Sequence, residues 1–145
     1  MDQAQEKELI AKKKKWLRRY KKNLSCITRL EEKLEMIDLR MTSARVPILS
    51  DMPRGGQPIT LEDLITDKME IEERIKRLKE KSKRYRLETL EEIDRLDDPR
   101  YSSVLEAFFI EGLNFGEIAD KLTYTERHVE RLYAEGVRFL AIYDE

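Results

Sequence analysis

The chain has almost nothing with which to ligate a metal or close a disulfide: one cysteine, Cys26, and one histidine, His128, in 145 residues. A lone cysteine excludes an internal disulfide, and a lone histidine leaves no Cys/His cluster, so no metal and no cofactor are expected. Glycine (five) and proline (four) are scarce, which argues against a turn-rich sheet protein or a low-complexity chain. No apolar run approaches the roughly 20 residues that span a bilayer. The charged start is not followed by the apolar stretch of a signal peptide, so a reduced, cytoplasmic setting without a membrane partner is expected. Catalytic signatures are missing too. Arg54 to Gln57 lacks the spacing of a phosphate loop, and no Ser/His/Asp or Cys/His grouping is suggested. The chain is not expected to be an enzyme.

What is present is charge on helices. Charged residues make up 41 % and hydrophobic ones 40 %, the balance of long solvated helices. The formal net charge is only −1, but its distribution is polarised. Residues 1–22 carry a net +6, residues 97–145 a net −6, and Arg74 to Arg86 hold eight bases against Glu80. Each of the two basic runs, Lys12 to Lys22 and Arg74 to Arg86, is expected to be the wet face of a coiled coil. Contact with nucleic acid is the alternative for each, and an anionic membrane a further one for the first.

Apolar periodicity predicts an all-α fold: a long antiparallel helical hairpin (1–96, loop 46–59), then a three-helix helix-turn-helix module (97–145). Leu17, Tyr20, Leu24, Ile27, Leu30, Leu34, Ile37, Met41 and Ala44 recur in steps of three and four over a helix from about Leu9 to Ala44. The successive steps of three, Leu24 to Ile27 to Leu30, break the heptad and predict a local distortion. A second helix runs from Leu61 to about Leu96, opened by a Thr60/Asp63 capping box. Its stripe, Leu61, Leu64, Ile71, Ile75, Leu78 and Tyr85, is interrupted by Lys68 and Ser82, where the seam is imperfect or something polar meets it. Three prolines and Gly55-Gly56 between Val46 and Pro58 end the first helix. An arm of this kind buries little core per residue and often needs a partner, so a homo-oligomer is expected.

Asp98 with Pro99 marks the next helix start, and Gly112 its stop; Val104, Leu105 and Phe108 are its expected core. Phe115 to Leu132 then reads as a helix-turn-helix. Ile118, Ala119 and Leu122 share one face of its first helix, and Val129 and Leu132 one face of its second. Asn114 with Glu117 forms a capping box, and Thr125 caps the second helix. Such a unit presents the start of its second helix to the major groove. The candidate base-reading residues are Thr125, Glu126, Arg127, His128, Glu130 and Arg131: arginine can donate twice to guanine, and glutamate can accept from cytosine. Lys121, Thr123, Tyr124 and Arg138 are candidates for phosphate contact. Two features oppose this reading. The module's charge of −6 repels phosphate, and Thr123, where glycine is usual, would be costly at positive φ, so another turn geometry is open.

The stretch Tyr101 to Leu140, with Glu111 to Leu122 and Glu126-Arg127-His128-Val129, resembles sigma factor region 4. Leu49 to Gly56, set after a charged helix, resembles small phage and prophage proteins of Gram-positive bacteria, of unknown function or grouped near late-transcription and autolysin regulators. The resemblance implies a bacterial cytoplasm, double-stranded DNA as partner through Thr125 to Arg131, and contact with RNA polymerase. The expected function is a phage-type transcription regulator binding promoter DNA, with a dimer placing two reading helices about one DNA turn apart. The alternative is a protein-interaction module that binds RNA polymerase or another regulator without reading DNA.

Overall fold

The computed structural model describes residues 2–44 and 59–143, and over them the fold is all-α, with six helices and no strands among the described residues. They are α1 (Gln3–Leu17), α2 (Arg19–Ala44), α3 (Leu61–Asp94), α4 (Pro99–Phe109), α5 (Phe115–Leu122) and α6 (Glu126–Phe139). The expected loop from Val46 to Pro58 lies outside the described residues.

Most helix starts follow from local chemistry. Thr60 and Asp63 exchange backbone-to-side-chain hydrogen bonds of 3.1 and 3.3 Å at the start of α3. Asp98 caps α4 with Pro99 in its first turn, and Asn114 and Glu117 form the capping box of α5. Each satisfies backbone donors that the first helical turn leaves open. Asp98 also holds the Arg100 guanidinium at 2.8 Å. That hydrogen bond, reinforced by one from the Arg100 backbone, draws the Asp98 carboxyl below its ordinary pKa. The first helix starts earlier than its apolar residues suggest, at Gln3, because Asp2 and Gln5 build a capping box there. It is interrupted once, at Arg18, where the Trp16 carbonyl accepts from the Arg18 N–H and the Arg19 side chain.

The chain forms two compact units. The first comprises Met1–Asn23 and Ser82–Glu145. Its core joins α1 and the end of α3 to the three C-terminal helices: Leu17, Ile93, Leu105, Phe109, Ile118, Val129 and Val137 are all fully buried. Phe109 is the inner aromatic of α4, and Phe108 is only partly buried. Both stack on or edge against Tyr133 of α6. Gly136 lets α4 and α6 approach closely, since a Cβ there would stand 3.2 Å from Leu105 and 3.3 Å from Tyr101.

The basic run Lys12 to Lys22 is not simply a wet face, and the structure corrects that expectation. Lys13 is 2 % exposed, and its Nζ donates to the Leu140 and Arg138 carbonyls at 2.6 and 3.0 Å. It thereby completes the C-terminal end of α6, where backbone carbonyls lack helical partners and the helix dipole favours a cation. The Arg19 guanidinium lies 4.3 Å from the Trp16 ring centroid and 4.4 Å from that of Tyr85, and pairs with Glu88 at 3.0 Å. Lys21 sits over Phe108. These cations have apolar stems and long-range partners, so they pack rather than hydrate. Lys13→Met keeps the stem and deletes the donor. It should destabilise the first unit by about 1–3 kcal/mol, the cost of leaving buried acceptors unmet. Urea unfolding followed through the fluorescence of Trp16, the only tryptophan, would measure it; an unchanged midpoint would refute the role.

Polar residues also decide the register of α2 against α3. Asn23 is 8 % exposed and donates to Ser82 Oγ at 2.6 Å, whereas Leu24 is 37 % exposed. The inward positions are therefore Tyr20, Asn23, Ile27, Leu30, Leu34, Ile37 and Met41. That sequence keeps alternating steps of three and four, so the heptad is unbroken where a distortion was expected.

The second unit, Leu24–Lys81, holds most of α2 and of α3. Its buried apolar residues are few: Ile27, Leu30 and Ile75 form one cluster, flanked by Leu34, Ile71 and Leu78, and Ile37 and Leu64 are buried besides. Lys68, the other polar residue on the α3 stripe, is met by Asp38 at 2.8 Å.

Candidate nucleic-acid interface

Helices α5 and α6 are joined by Thr123, Tyr124 and Thr125. Thr123 ends α5 in the left-handed conformation, at φ 60° and ψ 45°, and its N–H bonds to the Ala119 carbonyl. The turn thus takes the positive-φ geometry despite the β-branched side chain. Left-handed backbone costs an L residue roughly 1–2 kcal/mol, more than the ~0.5–1 kcal/mol of extra unfolded-state freedom that glycine brings. Thr123→Gly should therefore raise the stability of the first unit by roughly 0.5–1 kcal/mol. A lowered urea midpoint would contradict this.

Thr125 then caps α6, its Oγ1 accepting from the His128 N–H at 3.1 Å. The inward face of α6, Val129, Leu132, Tyr133, Gly136 and Val137, is buried. Its outward face leaves Glu126, Arg127, Glu130, Arg131 and Arg138 exposed. By helical spacing Arg127, Arg131, Ala134 and Arg138 fall on one stripe. The Arg131 guanidinium lies 3.0 Å from His128 Nδ1. A guanidinium has only donors, so Nδ1 is the acceptor in this contact. Tyr124 stands edge-on to the same ring, 4.8 Å between centroids, and locks it from the turn side.

Two of the candidate cations are already engaged. Lys121 pairs with Glu111 at 2.6 Å, and Arg138 with Glu6 of α1 at 3.3 Å. Both pairs are largely exposed, the kind that contributes little and exchanges partners readily. The candidates from Lys121 to Arg131 cluster on the end of α5, the turn and the first half of α6. Arg138 stands apart at the other end, beside α1.

Residues 40–140 match the model of DUF1492, a family of proteins of unknown function. The chain belongs to DUF1492. No curated protein and no solved structure matches it.

In this DUF1492 chain the N-terminal helix bears on the site in a way that sequence periodicity misses. Helix α1 reaches α6 through Lys13, Glu6 and Lys14, the last standing 5.5 Å from the centre of the Tyr133 ring. All these contacts fall at or beyond Tyr133, so the first turns of α6 stay uncovered by α1. Burial raises the Tyr133 phenol above its ordinary pKa, and the nearby Arg18 pulls it partly back. The N-terminal segment also changes the electrostatics. Its surplus of six positive charges offsets the acidic C-terminal residues, so the unit holds eighteen basic and eighteen acidic residues. Counted over the whole unit, the −6 of residues 97–145 is thus balanced, with the bases of α1 meeting α6 at its far end.

Proposed function

We propose that this DUF1492 chain is a transcription regulator of phage type that binds promoter DNA through the turn and first half of α6, with contact to RNA polymerase. The observation that carries this reading is the outward pair Arg127 and Arg131. The two sit one helical turn apart on a capped helix start, beside exposed Glu126 and Glu130, with a packed core behind them. Arginine and glutamate at these positions are the residue types that read guanine and cytosine edges in the major groove. The resemblance of Tyr101 to Leu140 to sigma factor region 4 supports the same reading. The unit as a whole carries no net charge, which lessens the charge objection.

The test is binding of purified protein to DNA from its own genomic neighbourhood at low and high salt, comparing wild type with Arg127→Ala/Arg131→Ala. Sequence-selective, salt-sensitive binding lost in the double variant supports a DNA reader. A second reading draws on Glu126 and Glu130, which leave the outward face of α6 nearly balanced in charge: a module that binds RNA polymerase or another regulator without reading DNA. Polymerase binding that survives the double substitution, with no DNA binding by wild type, would favour it.

A further inference from the structure

The second unit carries an apolar stripe that its own helices leave in water. Leu61, Ile65 and Met69, each one turn apart along α3, are 40, 41 and 65 % exposed. By helical spacing they share one face, beside the seam with α2 rather than within it. Scattered exposed apolar residues need no explanation, but a contiguous stripe of three large ones on a helix does.

The surroundings of the stripe are acidic. Glu62 and Glu73 flank it on the outer side of α3, Glu72 continues its line, and Lys76 follows one turn further on. On the other side Lys68 leads across to Asp38 of α2, with which it pairs at 2.8 Å, and it lies 4.0 Å from Glu72. Glu31 lies on the same flank of α2, one heptad from Asp38. Residues 31–44 and 61–73 together hold ten acids against Lys33, Arg40 and Lys68, a net −7. That charge selects among occupants. A second copy laid stripe on stripe would bring acid against acid, where like charges are costly. Nucleic acid and anionic lipid are repelled for the same reason. The complement is a helix with apolar residues on one face and lysine or arginine beside them. This is the helix-in-groove mode, and an adaptable methionine such as Met69 suits it.

We infer that the face Leu61–Ile65–Met69 of α3 is a docking surface for a basic amphipathic helix of another protein. The surface shares no residue with the candidate DNA interface, so the two are tested separately.

The probe is a dye-labelled model helix of leucine and lysine, about 18 residues or five turns long, titrated with the full chain at low and high salt. Its controls are an isomer of the same composition without helical periodicity, and a leucine–glutamate helix. The expected result is binding of the leucine–lysine helix about tenfold or more tighter than either control. Ile65→Ser/Met69→Ser should weaken it by about tenfold or more, because the docked helix then buries less apolar surface. Both positions are exposed, so circular dichroism should show the helices intact. Glu62→Gln/Glu73→Gln, a milder change, should weaken binding and flatten its salt dependence. Equal binding of the non-periodic isomer would reduce the effect to charge alone and overturn the inference. Indifference to Ile65→Ser/Met69→Ser would overturn it as well. A dimer in sedimentation equilibrium that dissociates on the same substitution would assign the stripe to a second copy instead, also overturning it.

Discussion

Phe109→Ala should shift the urea unfolding of the first unit to a far lower midpoint, a loss of about 3–5 kcal/mol. Phe109 is 0 % exposed, and its ring meets Phe108 edge-on at 4.9 Å and Tyr133 in a stack at 5.7 Å. Truncation removes the transfer energy of the ring and leaves a void among side chains that helices α4 and α6 hold in place. Small domains have only about 5–15 kcal/mol of stability in total, so a measurable unfolded fraction is expected even in water. Trp16 is the reporter. It packs against the same core from the N-terminal side, so its fluorescence should follow an injury made 93 residues later in the chain. Met69→Ala, at a site 65 % exposed in the other unit, should leave the Trp16 transition within about 0.5 kcal/mol. Should Phe109→Ala leave that transition in place too, residues 1–23 do not share the C-terminal core.

That coupling marks where the sequence stops being legible. Signals whose donor and acceptor lie within three residues read directly: Thr60 with Asp63, Asn114 with Glu117 and Thr125 with His128 all form as their spacing predicts. The apolar faces of α5 and α6 read equally well, because one short helix fixes them. Signals that depend on distant partners do not. Lys13 looks like one lysine in a solvated run until Leu140, 127 residues on, supplies the carbonyl it holds. Asn23 looks like a surface residue beside a core Leu24, and only Ser82 explains why the two exchange places. Periodicity counts apolar residues, so it is blind to a buried polar pair that keeps the same heptad. The candidate interface divides along the same line. The cap and the outward arginines are local and legible, whereas the engagement of Lys121 by Glu111 and of Arg138 by Glu6 needs the folded chain.

The second large effect is on binding. For a cognate DNA site, Arg127→Ala/Arg131→Ala should lower affinity by about 100- to 1000-fold, while binding to unrelated DNA changes several-fold at most. A bidentate arginine–guanine contact discriminates by about 1–3 kcal/mol, and two such contacts on one helix face act together. Non-specific affinity comes from phosphate neutralisation, to which other cations of a charge-balanced unit contribute as well. The two substitutions should differ in kind. Arg131 is held against His128 Nδ1 at 3.0 Å, so its guanidinium starts nearer a fixed position and loses less freedom on docking. Arg127 has no such brace among the described residues, so Arg131→Ala should cost more than Arg127→Ala. His128→Ala should reproduce part of the Arg131→Ala loss by releasing that side chain. Arg127 and Arg131 are exposed and α6 keeps its Thr125 cap, so unfolding midpoints of their variants should stay near wild type. Selectivity that survives the double substitution would place base reading elsewhere than on the outward face of α6.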